Sequence, residues 1–300
     1  MSQILLKDGG TGQELLKRSS MPPHPLWSAK VMMEEPEVVQ RVHEDFLRAG
    51  ASVLTLNTYS ATPERLEREG AAEMYIPLVS RAIDLGNAAR DAVGTGAQLA
   101  GCLPPLHGSY RPDMQISPAE LLPLYQEIVE HQAEACDLFL CETLSSITEI
   151  IAATQAAVET GKPTWVAISV ADDNSANLRS GEALIDALEA IEGMGQAGVM
   201  LNCSKPEAVD ANLEALATTG TPFGAYANGF TGIDALTIGG TVDGLNARLD
   251  LTPNAYADFA LGWVHSGAKF VGGCCEVGPT HITELARQLR IAGHTITRDL

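Results

Sequence analysis

The sequence predicts an α/β protein, one closed barrel of strands wrapped by helices, and two observations predict it. Eight short apolar runs bounded by turn residues lie along the 300 residues, separated by segments whose apolar positions recur at helical spacing. Strands that alternate with helices force a parallel sheet with right-handed crossovers, and eight such units close on themselves as a (β/α)8 TIM barrel. The length suits that architecture, which typically needs about 250 residues. No composition shift or linker divides the chain, so residues 1–300 are read as a single barrel domain.

The expected strands cover residues 4–8, 52–59, 98–103, 138–143, 164–170, 198–203, 223–228 and 269–274. Helical spacing over 37–49 places Val38, Val39, Val42, Phe46 and Leu47 on one face, and Gly50 stops it. A long helical segment covers 62–93, opening Thr62-Pro63-Glu64 with proline at the first helical position. Ser117-Pro118-Ala119-Glu120 opens the next helix as a capping box. Residues 145–159, 182–194, 207–217, 254–265 and 280–291 supply the rest. The connection 227–253, rich in Gly and Asp, reads as a loop over the active face or as a contact between copies of the chain.

A formal net charge of −19 argues against nucleic acid and anionic membranes as partners, because phosphate binding needs a basic footprint. Small molecules are the expected partners. No apolar run reaches the length of a membrane span, and the first residues lack the pattern of a secretion signal. A cytoplasmic, reducing setting follows, in which six cysteines are thiols or metal ligands rather than a disulfide framework.

Barrel enzymes work at the C-terminal ends of their strands. That rule selects Asp8 with Gly9-Gly10-Thr11-Gly12, then Asn57, Thr58, Glu142, Cys203, Asn228, Cys274 and Cys275. Cys274 and Cys275 follow two glycines at a strand end, where the backbone stops being regular, and Cys203 ends another strand. Three thiolates leave one position of a tetrahedral zinc open, the arrangement of a catalytic site. Such a site is too electron-rich to favour hydroxide but suits a substrate thiol, whose ordinary pKa of about 8.5 it would lower. Thiol alkylation therefore outranks hydrolysis. Cys102, Cys136 and Cys141 read as packing residues, and His107 and His281 as polar loop and helix-start residues. The amides of Gly10 and Thr11 suit a substrate carboxylate, and Glu142 suits a substrate ammonium.

These residues resemble the homocysteine S-methyltransferase family of zinc-dependent barrels. The likeness rests on Asp8-Gly9-Gly10-Thr11-Gly12, Leu26-Trp27-Ser28-Ala29, His43 to Ala51, Asn202-Cys203, Tyr226-Ala227-Asn228 and Gly272-Gly273-Cys274-Cys275. It implies a homocysteine-binding-type barrel with one Zn2+ on Cys203, Cys274 and Cys275. It further implies that Asp8 and Glu142 hold the homocysteine amino group and the amides after Asp8 its carboxylate. Asn228 matches a position that in some members approaches the metal when substrate is absent. Thr143 stands directly after Glu142 where the betaine branch has tyrosine, which is more similar to the S-methylmethionine branch. Trp27 and Tyr59 are the aromatics placed to face a cationic donor.

The expected function is thus methyl transfer from a sulfonium donor, S-methylmethionine or S-adenosylmethionine, to homocysteine, giving methionine. Betaine or another onium as donor, and selenocysteine as acceptor, stand as alternatives. From other classes, a zinc hydrolase and a zinc or thiol sensor without turnover compete. A homo-oligomer stays open.

Overall fold

Alternation along the first strand, β1 (Gln3–Leu6), sends Leu5 to the barrel axis and Ile4 and Leu6 to the surrounding helices. The computed structural model describes residues 2–114, 116–173, 175–236 and 240–299. The remaining strands are β2 (Val53–Thr55), β3 (Gln98–Leu103), β4 (Leu138–Leu144), β5 (Thr164–Ile168), β6 (Gly198–Asn202), β7 (Phe223–Tyr226), β8 (Phe270–Val271) and β9 (Thr295–Thr297). All pair in parallel, in the order β2-β3-β4-β5-β6-β7-β8-β1-β9. The ring closes where Lys7 bridges Val53, with Ser52 N donating to Leu6 O at 2.7 Å and Asp8 N to Val53 O at 3.0 Å. The barrel read from the sequence is present.

Helices α1 (Thr11–Arg18), α2 (Trp27–Glu34), α3 (Pro36–Ala49), α4 (Pro63–Arg68) and α5 (Tyr75–Val93) precede β3. Then follow α6 (Pro118–Gln132), α7 (Ile147–Val158), α8 (Leu184–Ala190), α9 (Pro206–Ala217), α10 (Pro253–His265) and α11 (Pro279–Ile291). The capping box at Ser117 and Glu120 forms as expected.

Four expectations change. The segment 62–93 is two helices, because Gly70 turns left-handed at φ +69° between them. The helix expected over 182–194 contracts to α8. Helices α1 and α2, eight residues each, and the three-residue β9 are too short for a periodicity to be read. Strand ends expected at residues 8, 59, 170, 203, 228 and 274 stop earlier; of those last residues Tyr59, Cys203 and Cys274 line the cavity, while Asp8, Val170 and Asn228 are buried behind it.

Inside the ring, Trp165 meets Phe270 edge-on with centroids 4.9 Å apart, a pair worth about 1 kcal/mol beyond the area it buries. Outside it, His43 on α3 is fully buried, and neither ring nitrogen has a partner among the described residues. Burial lowers its pKa from 6.5 to about 4, against a weaker opposing pull from Asp8. The folded state therefore binds fewer protons than the unfolded chain across that window. Stability is complete above pH 6.5 and falls as pH drops toward 4, by about 3 kcal/mol from this group. Urea unfolding of a His43→Leu variant should show a correspondingly shallower loss between those pH values. Identical pH profiles for the two proteins would remove His43 as the cause.

Candidate active site

Cys203 follows directly on β6, in the left-handed conformation at φ +52°. Its amide donates to Tyr226 O at 3.1 Å, while the Asn202 side chain clamps β4 through Thr143 N and Thr143 Oγ1, both at 3.1 Å. Two residues beyond β8, the chain turns under backbone control. Gly273 N donates to Asp8 O at 3.0 Å, Cys274 N to Ala227 O at 3.1 Å, and Gly229 N to Cys275 O at 2.8 Å. Tyr256 of α10 braces the same turn by donating to Gly272 O at 2.6 Å. A Cβ at Gly272 would stand 2.6 Å from the Lys7 Cβ, and one at Gly10 would collide with the Cys274 carbonyl, so only glycine lets these loops touch.

The result is a cluster of Cys203, Cys274 and Cys275 whose sulfurs all lie within 4.8 Å of one another. Among the described residues it is the one group of His, Cys, Asp and Glu arranged to hold a metal. The donor set fits zinc: bonds of about 2.3 Å in a tetrahedron put sulfurs roughly 3.8 Å apart, inside that 4.8 Å bound. His107 pairs with Glu64 instead, and His281 bonds Gly278 N and Leu251 O, as the sequence suggested for non-ligands.

The surroundings already favour a thiolate here. Although burial opposes it, hydrogen bonds from Cys274, Cys275 and Tyr110, with the charge of Arg179, hold Cys203 well below the ordinary thiol range. Donating to Cys203 keeps Cys274 and Cys275 protonated, and burial adds to this. Tyr110 Oη lies 2.9 Å from Cys203 Sγ, and Arg179 stacks 4.8 Å from the Tyr110 ring centre while bonding Cys203 O at 3.1 Å. Neither residue was legible beforehand, since both sit in loops without periodicity. Trp27, Tyr110, Thr143, Cys203 and Glu276 are the non-glycine residues recorded with positive φ, and all five stand at or beside the mouth. Strained backbone gathers where side chains must be aimed.

A cavity of about 1260 Å3, counted with its open mouth, leads to the sulfurs. Gly9, Gly10, Thr11, Gly12, Trp27, Asn57, Glu142 and the three cysteines line it, as expected, and the 227–253 connection covers it through Phe230, Val242 and Leu245. Glu142 accepts from Cys102 Sγ and Tyr226 Oη, each at 3.1 Å, and burial raises its pKa although Lys7 pulls it down. Cys102 is thus more than packing. Thr58 turns away to bond Gln132 at 3.1 Å. Asn228 spends its side chain on Cys203 O at 2.8 Å and Phe230 N at 3.1 Å, steadying the Cys203 turn from behind.

Asp8 is fully buried behind the wall, accepting from Lys7 Nζ at 2.7 Å, Thr55 N at 2.8 Å and Thr55 Oγ1 at 3.1 Å. Lys7 itself lines the cavity. The amides read as a carboxylate nest are committed elsewhere: Gly10 N donates to Val277 O at 2.9 Å and Thr11 N to Gly9 O at 3.0 Å. Of the two aromatics named from the sequence, Tyr59 already has Arg65 5.4 Å from its ring centre, while Trp27 stands edge-on to Tyr59 at 5.9 Å. Arg65 is buried, bonds Ser109 Oγ at 3.1 Å, and leaves its Nε without a partner among the described residues.

Fold and site together define a barrel enzyme whose chemistry centres on sulfur. The model of the family described as homocysteine S-methyltransferase matches residues 5–289, and the chain belongs to that family. It is 31% identical over 302 residues to the homocysteine S-methyltransferase of Escherichia coli (strain K12), covering 94% of each chain. It is 27% identical to homocysteine S-methyltransferase YbgG of Bacillus subtilis (strain 168), covering 96% of this chain and 95% of that one. The metallated form of the homocysteine methyltransferase MmuM from Escherichia coli superposes with a TM-score of 0.79 at 28% identity, over 96% of both chains. The protein is accordingly a methyltransferase that acts on homocysteine.

Replacing Cys275 with Ala should abolish stoichiometric metal binding, measured by elemental analysis after dialysis, while leaving the fold intact by circular dichroism. Retention of one metal per chain by that variant would show that the ion sits elsewhere.

Proposed function

We propose that the protein transfers a methyl group from a sulfonium donor, S-methylmethionine or S-adenosylmethionine, to homocysteine, forming methionine, with one Zn2+ held by Cys203, Cys274 and Cys275. The observation that carries this reading is the convergence of three sulfurs at the floor of a cavity walled by Trp27 and Glu142. When bound, the ion supplies the Lewis acidity that lets the substrate thiol shed its proton near neutral pH. Everything else falls to the chain. The walls must hold acceptor sulfur, methyl carbon and leaving group in line, and alignment of that kind can supply several kcal/mol of rate enhancement.

Glu142 is the carboxylate on the cavity wall that remains for the homocysteine ammonium, since Asp8 is saturated by Lys7 and Thr55. On the donor side, a buried guanidinium with an unused N–H and no carboxylate within ion-pair distance among the described residues favours a ligand that brings one. S-methylmethionine, S-adenosylmethionine and glycine betaine each carry that group. Thr143 beside Glu142 supports the sulfonium over the betaine choice. Asn57 and the α1 end of the glycine loop complete the wall against the acceptor chain. Six free cysteines suit a cytoplasmic setting, where acceptor thiols also stay reduced.

A Glu142→Gln variant should bind homocysteine about tenfold more weakly by calorimetry, the scale of one charged hydrogen bond of roughly 1.5 kcal/mol. An unchanged dissociation constant would remove Glu142 from ammonium recognition. Arg65→Met should lower kcat/KM for S-methylmethionine by about 10- to 100-fold, with KM for homocysteine held constant. If activity with trimethylsulfonium, which has no carboxylate, fell equally, the carboxylate assignment would fail.

A further inference from the structure

Gln132, the last residue of α6, is fully buried and uses every hydrogen-bonding position of its side chain. Its Oε1 accepts from Cys102 N at 3.0 Å and from Thr58 Oγ1 at 3.1 Å, and its Nε2 donates to Cys102 O at 3.2 Å and to Ile128 O at 3.3 Å. The bonds to Cys102 stand in for a missing strand. β2 pairs with β3 only as far as Thr55 and Ala100, so beyond that point this edge of β3 has no ladder partner. The chain after β2 is thereby released from the sheet, and Asn57 and Tyr59 line the cavity.

Clamping the Cys102 backbone aims its side chain. Ala100 faces the barrel axis, and two residues further along the strand Cys102 faces it as well. In the register of β3 and β4, Cys102 lies opposite Leu140, so the next axis-facing residue of β4 is Glu142. Cys102 Sγ donates to Glu142 Oε1 and Tyr226 Oη to Glu142 Oε2, each at 3.1 Å. Burial and the neighbouring Glu142 charge hold the Cys102 thiol well above its ordinary range, so it stays an S–H donor. One donor on each oxygen fixes the plane of the carboxylate and leaves each oxygen a lone pair for a ligand. An ammonium at the cavity wall needs that combination of charge and fixed direction.

We propose that Cys102 and Gln132 are positioning residues for Glu142, and that through it they set the preference of the enzyme for thiols that carry an ammonium. This deepens the reading of Glu142 as the partner of the homocysteine ammonium and rests on it. A thiol suits the task, because S–H is a weak donor that orients the carboxylate while leaving most of its charge for the ligand. Without that contact Glu142 would still be an anion, but each binding event would have to order it.

The test uses zinc-loaded wild type and the variants Cys102→Ala, Cys102→Ser, Gln132→Met and Glu142→Gln. Calorimetry gives the dissociation constant of homocysteine, and displacement of homocysteine gives that of its des-amino analogue mercaptobutanoate. Cys102→Ala should weaken homocysteine about fivefold, the scale of one lost hydrogen bond, and leave mercaptobutanoate within about twofold of wild type. Cys102→Ser keeps a donor in place and should return homocysteine to within about twofold. Gln132→Met frees the Cys102 backbone and should act as Cys102→Ala does. Thermal melts check that it folds, and the two Cys102 variants decide the matter if it does not. An equal loss for both thiols, or a loss that serine does not recover, marks a packing defect and overturns the proposal. If Glu142→Gln weakens homocysteine while Cys102→Ala leaves it unchanged, the positioning role fails and the ammonium reading stands. If Glu142→Gln binds homocysteine as tightly as wild type, the ammonium reading fails and takes the positioning role with it.

Discussion

The structure depends on one backbone meeting: the turn after β8 locks onto the glycine loop after β1 and onto the chain end after β7. Gly273 N to Asp8 O, Cys274 N to Ala227 O and Gly229 N to Cys275 O are the bonds that do it. They hold Cys274 and Cys275 where Cys203 can reach them, from a strand two places away around the ring. Each buried amide would cost roughly 1–3 kcal/mol if left unpaired, so the turn is strongly determined before any ion arrives. Ligands held in place beforehand would need little reorganisation to bind an ion, and the three cysteines line the cavity.

Charge around that point is arranged in two opposed layers. Near the metal centre, Arg179 and the Tyr110 hydroxyl lean on Cys203, stabilising negative sulfur. At the cavity wall, Asp8 and Lys7 form a buried pair, both nearly inaccessible to water. A buried pair gains little net stability over an apolar one, because desolvation offsets attraction. Across the cavity the buried Arg65 guanidinium has no carboxylate within ion-pair distance among the described residues and bonds Ser109 instead.

The barrel was legible because eight apolar runs at regular spacing admit few other architectures, and the cysteines because thiols at two strand ends share one mouth. Other parts were hidden for definite reasons. Helices α1 and α2 open directly on site motifs and run only eight residues each, shorter than the window in which helical periodicity shows. Thr58 sits at a strand end by sequence, yet its side chain direction is set by Gln132 on α6, a contact no local pattern encodes. Asp8 reads from the sequence as a substrate carboxylate, whereas its bonds to Lys7 and Thr55 come from the tertiary fold. Parity with Leu5 would have put Lys7 inside the ring. Tyr110, Arg179 and Arg65 reach the site from loops and a short helix, where position follows from tertiary packing alone.

The turn that carries both metal-binding cysteines ends on Glu276, whose carboxylate takes hydrogen bonds from Gln13 and Lys17 of α1, each at 2.8 Å. Cys275 and Glu276 are consecutive, so these two hydrogen bonds leash the amino-terminal segment to the turn that carries the thiols.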